Sequence, residues 1–191
     1  TISPQAYIYT QPDRKSAVKG RVFASSILSL CTLQPVQGND GSLYWAINWP
    51  HTEVVVYLPY EAGSRHTLSA RGDSLLQTAR RFKGVAYLWG GLSCHGIDCS
   101  GLVYVSCKLH GLIVPRDADQ QFSVGLPVNR EELEAGDLVF FGKDEDHVVH
   151  VGFYVGNSQF WDASGKYGVG LSSLDNLVKY RFLGGRRYFE E

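Results

Sequence analysis

Cys99 stands in the segment Tyr87-Leu88-Trp89-Gly90-Gly91-Leu92-Ser93-Cys94-His95-Gly96-Ile97-Asp98-Cys99-Ser100-Gly101, whose residue types suit a nucleophile. The glycines let the chain turn sharply into the apolar stretch that follows, so Cys99 falls in the first turn of an expected helix. Free backbone amides and the macrodipole favour an anion there, and the thiolate is the form that attacks. The same amides can hold the oxyanion formed when a carbonyl is attacked. Of the four cysteines, Cys107 lies further along the same helix without these features and reads as core. A zinc site from Cys94, Cys99 and Cys107 fails on distance, because the helical rise separates Cys99 from Cys107 by roughly 12 Å. No Lys-Ser or Lys-Thr follows the glycines as a phosphate loop requires. No metal is expected.

A thiolate needs a proton carrier, and among six histidines His147 and His150 compete for that role. Alternation from His150 sends Val151, Phe153 and Val155 to one face of a strand and His150, Gly152 and Tyr154 to the other. The small Gly152 is expected to leave room beside the histidine for the thiol. His147 sits among Asp144, Glu145 and Asp146 and reads as part of a solvated turn. His51, His66, His95 and His110 have no supporting context.

The elements that must carry these residues follow from the same patterns. From Ile2 to about Tyr60, short apolar stretches (Ala6 to Tyr9, Val22 to Phe23, Leu43 to Trp49, Val54 to Leu58) alternate with turn-rich segments, as in a small barrel or sandwich. The β-branched run at Val54 to Leu58 predicts a buried strand. A domain junction is placed between Glu61 and Gly72. A helix follows, capped by Asp73 or Ser74, with Leu75, Leu76, Ala79 and Phe82 as its apolar face. The nucleophile helix runs through Leu102 to Leu109 and stops at Gly111. Strands are expected at Leu138 to Phe141 and Val149 to Val155, and Gly156-Asn157 turns the chain back through Phe160 to Ala163. Helices followed by an antiparallel meander make an α+β layout.

The 191 residues carry a net charge of −1, with Lys and Arg scattered, which excludes the basic footprint of a nucleic-acid binder. No apolar run approaches the roughly 18 to 20 residues of a membrane span, and no stretch reads as a signal peptide. The chain starts at Thr1 and contains no methionine, so the native start, and any leader with it, is expected to be missing. Cytoplasm and cell envelope are both left open. Four irregularly spaced cysteines are too few for a disulfide framework, which leans toward a reducing compartment.

Trp89-Gly90-Gly91 followed by Asp98-Cys99-Ser100-Gly101-Leu102 resembles the nucleophile motif of the NlpC family of papain-like cysteine peptidases. Pro115-Arg116-Asp117, Gly136-Asp137-Leu138-Val139-Phe140-Phe141 and His150-Val151-Gly152-Phe153-Tyr154 resemble three further landmarks in the family's order. The resemblance implies a bacterial enzyme that hydrolyses peptidoglycan stem peptides, typically between D-glutamate and a diamino acid. It also implies an N-terminal Src-homology-3-like barrel at 1–62 before a papain-like α+β peptidase domain with an antiparallel sheet at 73–191. In the implied arrangement the barrel helps close one end of the groove, and Asp98 is a candidate to bind a free substrate amine. Ser100, Tyr87 and Trp89 are further substrate contacts. Tyr57 is either a contact from the barrel or an ordinary core or surface tyrosine.

The third member of the implied catalytic set matches Asp162, where the family's commonest residue is histidine. A carboxylate can do the same work, accepting from the far imidazole nitrogen and favouring the imidazolium beside the thiolate. Parity tests the pairing: His150 and Asp162 share a face only if the hairpin loop is odd or a bulge restores the phase. Ala118 departs from a serine that often contacts the ligand. The implied mechanism is acyl transfer from Cys99, with His150 moving the proton and Asp162 holding the ring, and it needs no cofactor. The expected partners are peptidoglycan peptides and the expected state is a monomer. Two rivals remain, a catalytically weakened cell-wall peptide-binding module on the same fold and an acyltransferase on a related scaffold.

Overall fold

The computed structural model describes residues 1–176 and 180–189. The chain divides into two compact units, Thr1–His66 and Thr67–Glu191. Of the span expected for the peptidase domain, Leu177 to Lys179, Glu190 and Glu191 lie outside the described residues.

In the first unit, strands β1 (Gln5–Tyr9), β2 (Val18–Phe23), β3 (Val36–Gln37), β4 (Leu43–Asn48) and β5 (Val55–Pro59) form one antiparallel sheet in the order β2-β1-β5-β4-β3. Its inward residues Ile8, Trp45, Ile47, Val56 and Leu58 make the local core, as period-two alternation requires. Two expectations change here. The apolar run before Pro59 is buried on one face only, since Val54 and Val55 are exposed while Val56 and Leu58 are buried. The small barrel is seen as an open sheet: β3 has two residues, both paired to β4, and no ladder joins β3 to β2 among the described residues.

The second unit opens with α1 (Gly72–Arg80). Leu75, Leu76, Ala79 and the following Phe82 are buried, as their spacing predicts. Its start differs from expectation. Arg71 occupies the cap position with no side-chain cap, and Asp73 lies inside the first turn, where its charge suits the helix dipole. A short hairpin of β6 (Leu92–Ser93) and β7 (Gly96–Ile97) leads into α2 (Cys99–Leu109), followed by α3 (Ala118–Phe122). Gly111, just past α2, has φ +74°, the left-handed stop its position implies.

The remaining strands are β8 (Leu126–Val128), β9 (Leu138–Gly142), β10 (Val148–Gly156), β11 (Gln159–Ser164), β12 (Gly168–Ser173) and β13 (Arg181–Arg187). They form an antiparallel sheet in the order β12-β11-β10-β9-β13-β8. Leu138, Val139, Phe140 and Phe141 are all buried, so β9 is covered on both faces and reads as a continuous apolar run. Helix α2 packs against β10 and β11 and α1 packs on α2, an α+β unit with its central strands beneath α2.

Candidate active site

The turn into α2 is built by close backbone approach. A Cβ on Gly101 would lie 2.3 Å from the Gly91 carbonyl oxygen, so only hydrogen fits there. Asp98 caps the helix, its Oδ1 accepting from the Gly101 amide at 2.6 Å and from Ser100 Oγ at 3.4 Å. Its Oδ2 accepts from the Gly90 amide at 2.6 Å and from Arg116 Nη2 at 2.8 Å. Arg116 Nη1 also donates to Ser100 Oγ at 2.9 Å. Four donors therefore converge on one buried carboxylate and fix the turn that presents Cys99. Gln121 ties α3 to the same place, its Nε2 donating to the Ser100 carbonyl at 3.1 Å and the Pro115 carbonyl at 2.8 Å. Cys99 is the first residue of α2, where the amides of Cys99 and Ser100 have no acceptor within the helix. Cys107, at the far end, is buried, and burial pushes its thiol up to about 12. It is core.

His150 is presented by β10 beside a bulge. The register with β9 shifts between Val148 and His150, which leaves Val149 outward and exposed. The hairpin to β11 turns through Asn157 and Ser158, both at positive φ, an even loop. The phase is restored by a second register shift between Tyr154 and Gly156, so Phe153 pairs with Trp161. His150 and Asp162 thereby share a face, and His150 Nε2 lies 2.7 Å from Asp162 Oδ2. Gly152 serves this contact in a way its small size alone does not reveal. A Cβ there would meet the Phe160 ring at 2.5 Å and Asp162 Cβ at 3.1 Å, so the glycine makes room for Asp162 and not for the thiol.

Burial by itself would lower the His150 pKa. Hydrogen bonds to Asp162 and to Cys99, with the charges of both, outweigh it and raise the value to about 10. Nε2 is engaged by Asp162, which leaves Nδ1 for Cys99. Asp162 is 1% exposed. Its Oδ1 accepts from Ser172 Oγ at 2.9 Å and from the Tyr167 hydroxyl at 3.2 Å.

The other expected contacts divide. Tyr87, Trp89, Asp98, Ser100 and Ala118 line one cleft of about 1350 Å³ that holds Cys99, His150 and Asp162. Burial first, then the nearby charges of Cys99 and Asp98, raise the Tyr87 pKa. Trp89 is 84% exposed at the cleft rim. Tyr57 is half-buried on β5 of the first unit, paired with Ala46 and Tyr9. His147 is exposed and bonded to Asp144 at 2.5 Å, the solvated turn expected of it. His110 is a core histidine, with Nε2 2.8 Å from Thr78 Oγ1. Three residues around the site escape a reading of the sequence: Arg116 as the partner of Asp98, and Tyr167 and Ser172 around Asp162. The alternation Gly168-Val169-Gly170-Leu171-Ser172 was the available signal, since Asp162 pairs with Gly170 and parity puts Ser172 on the same face.

A cysteine at the mouth of a helix, facing a histidine on the adjoining antiparallel sheet, is the layout of a papain-like cysteine peptidase. The chain belongs to the NlpC/P60 family, whose model matches residues 84–187, more than half of its length. It is 37% identical over 123 residues to the gamma-D-glutamyl-L-lysine dipeptidyl-peptidase of Bacillus subtilis strain 168, covering 62% of this chain and 42% of that protein. It is 43% identical over 108 residues to the murein DD-endopeptidase MepS/murein LD-carboxypeptidase of Escherichia coli K12, covering 56% of this chain and 57% of that protein. The chain thus spans about half the length of these relatives. The crystal structure of an NlpC/P60 family protein from Bacillus cereus ATCC 10987 is similar along nearly the whole chain, with TM-score 0.75 and 26% identity over 99% of this chain and 62% of that one. No helix among the described residues is long and apolar enough to cross a membrane.

Proposed function

We propose that the chain hydrolyses peptidoglycan stem peptides as a cysteine peptidase, cutting between D-glutamate and the diamino acid. Cys99 attacks the amide carbonyl, His150 protonates the leaving amine and then activates water, and Asp162 holds the imidazole. The observation that carries this reading is His150 Nε2 held 2.7 Å from Asp162 Oδ2 in the cleft that also holds Cys99. The name of the Bacillus subtilis relative supports the choice of bond. The amides of Cys99 and Ser100 are the oxyanion donors. Tyr87, Trp89 and Ser100 contact the peptide in this reading. Asp98, which lines the cleft, is the contact for a free substrate amine in this reading, while it also caps α2. The reaction needs no metal or cofactor, and the protein acts as a monomer. The first unit, five short antiparallel strands over 1–62, is read as the Src-homology-3-like companion of the peptidase domain at 73–191.

Departure from histidine at Asp162 motivates the rival, a wall-peptide binder without turnover. The bond from Asp162 to His150 argues against that rival, since the carboxylate sits where a ring-orienting group must. Digestion of defined stem peptides, with and without a free amino terminus and read by mass, tests the reading. The expected products are an acyl fragment ending in D-glutamate and a fragment beginning with the diamino acid. Binding without any new mass would establish the rival.

A further inference from the structure

We propose that Tyr167 and Ser172 are positioning residues that act through Asp162, two hydroxyls converging on Oδ1 so that the buried carboxylate keeps Oδ2 turned to His150. The inference rests on the reading of Cys99, His150 and Asp162 given above and adds to it how the third member is held.

Asp162 is almost fully buried, and an ionised carboxylate out of water is costly unless hydrogen bonds replace its hydration. His150 supplies one bond, at Oδ2. The opposite oxygen faces Ser172 Oγ at 2.9 Å and the Tyr167 hydroxyl at 3.2 Å, and these two hydroxyls also touch each other. Three contacts share two protons. Ser172, the nearer, spends its proton on Oδ1, and the Tyr167 proton is divided between Ser172 Oγ and Oδ1, so every oxygen is satisfied. Backbone geometry allows this because β12 carries no side chain across from Asp162. Gly170 is its partner, and a Cβ there would meet the Tyr167 ring at 2.9 Å. With Oδ1 held by two donors, the carboxylate plane cannot rotate away from the imidazole without breaking both.

The consequence is electrostatic. With Oδ2 held on Nε2, the hydrogen bond to Asp162 keeps the His150 pKa raised. Titratable or charged groups lining the same cleft are Cys99 from α2, His150 from β10, Lys166 and Tyr167 from the turn before β12, and Asp117, Asp119 and Tyr180. Around the thiol stand Tyr87, Asp98 and Arg116. Phe141 and Phe160, which flank the imidazole, carry no charge.

Alkylation of Cys99 by iodoacetate provides the test. The sulfur displaces iodide, and the anionic reagent is drawn in only while the neighbouring imidazole is charged. The rate against pH therefore reports the loss of the His150 proton without requiring a peptide substrate. Ser172→Ala is the deciding variant, because it removes a donor and no titrating group. Tyr167→Phe and the double variant accompany it, and Ser172→Thr restores the hydroxyl. The alkaline limb is expected to move to lower pH in Ser172→Ala and further in the double variant, about tenfold in rate for each pH unit moved. It should return in Ser172→Thr. An alkaline limb that stays in place in Ser172→Ala, even with a lower overall rate, overturns the inference. Should the double variant not fold, the two single variants decide. Failure of the peptidase reading is seen separately, as stem-peptide cleavage that survives Cys99→Ala.

Discussion

At the scale of single residues, the site depends on one ionic knot behind Cys99. Asp98 caps α2 and is gripped by Arg116, whose guanidinium also reaches Ser100. Removing one partner of a buried charge pair leaves the other uncompensated, at a cost of about 3 kcal/mol. Arg116→Ala is therefore expected to lower stability by that order in urea unfolding and to slow peptide hydrolysis. Arg116→Lys should restore little, because a single ammonium cannot serve both oxygens in the same geometry. Full activity in Arg116→Ala would show that the turn holds Cys99 without it. Much of this layer was legible in the sequence. Cys99 stood out by its glycine lead and helix entrance, and His150 by strand alternation. The capping role of Asp98 was hidden, because an acid before a nucleophile looks the same whether it faces substrate or its own helix.

At the scale of elements, the hairpin between β10 and β11 decides whether the histidine has an orienting partner. Its two-residue turn alone would send Asp162 to the wrong face, and the register shift at Tyr154 corrects the phase. The parity requirement was readable from residue numbers, whereas the bulges were not, since no residue type announces them. The same holds for Gly152, which reads as free space until the neighbouring strand is known. Gly152→Ala would press a methyl against the Phe160 ring and Asp162. Overpacking of this kind costs roughly 1 to 3 kcal/mol. The expected result is a lower melting temperature together with a loss of activity larger than the stability change explains, because Asp162 is pushed from His150. An active, less stable Gly152→Ala would show that the contact tolerates the shift. The start of α1 is ambiguous in sequence for a simpler reason: Asp73 is as good in a first turn as at a cap.

At the scale of the whole molecule, two histidines with opposite shifts shape stability against pH. Burial lowers the pKa of His110, although the Ser69 carbonyl pulls upward. An unfolded chain takes up that proton more readily, so stability is lost as pH falls below about 6.5. His150 is raised to about 10. Its contribution is complete below about 6.5 and is lost as pH rises through about 10. Urea midpoints should therefore fall on both sides of neutrality, with the alkaline fall flattened in His150→Gln. Parallel curves for wild type and variant across pH 7 to 10 would contradict the coupling. The strands of the first unit were likewise legible from alternation and turn residues. Its lack of closure was not, because nothing local to Val36–Gln37 states how short that strand is.

The most direct measurement is stem-peptide turnover by Cys99→Ala beside wild type, with circular dichroism and melting temperature to establish that both are folded. A folded variant with turnover lowered by about 10,000-fold or more is the expected result. A folded variant that still releases the diamino-acid fragment at the wild-type rate would contradict it, and with it the assignment of the nucleophile.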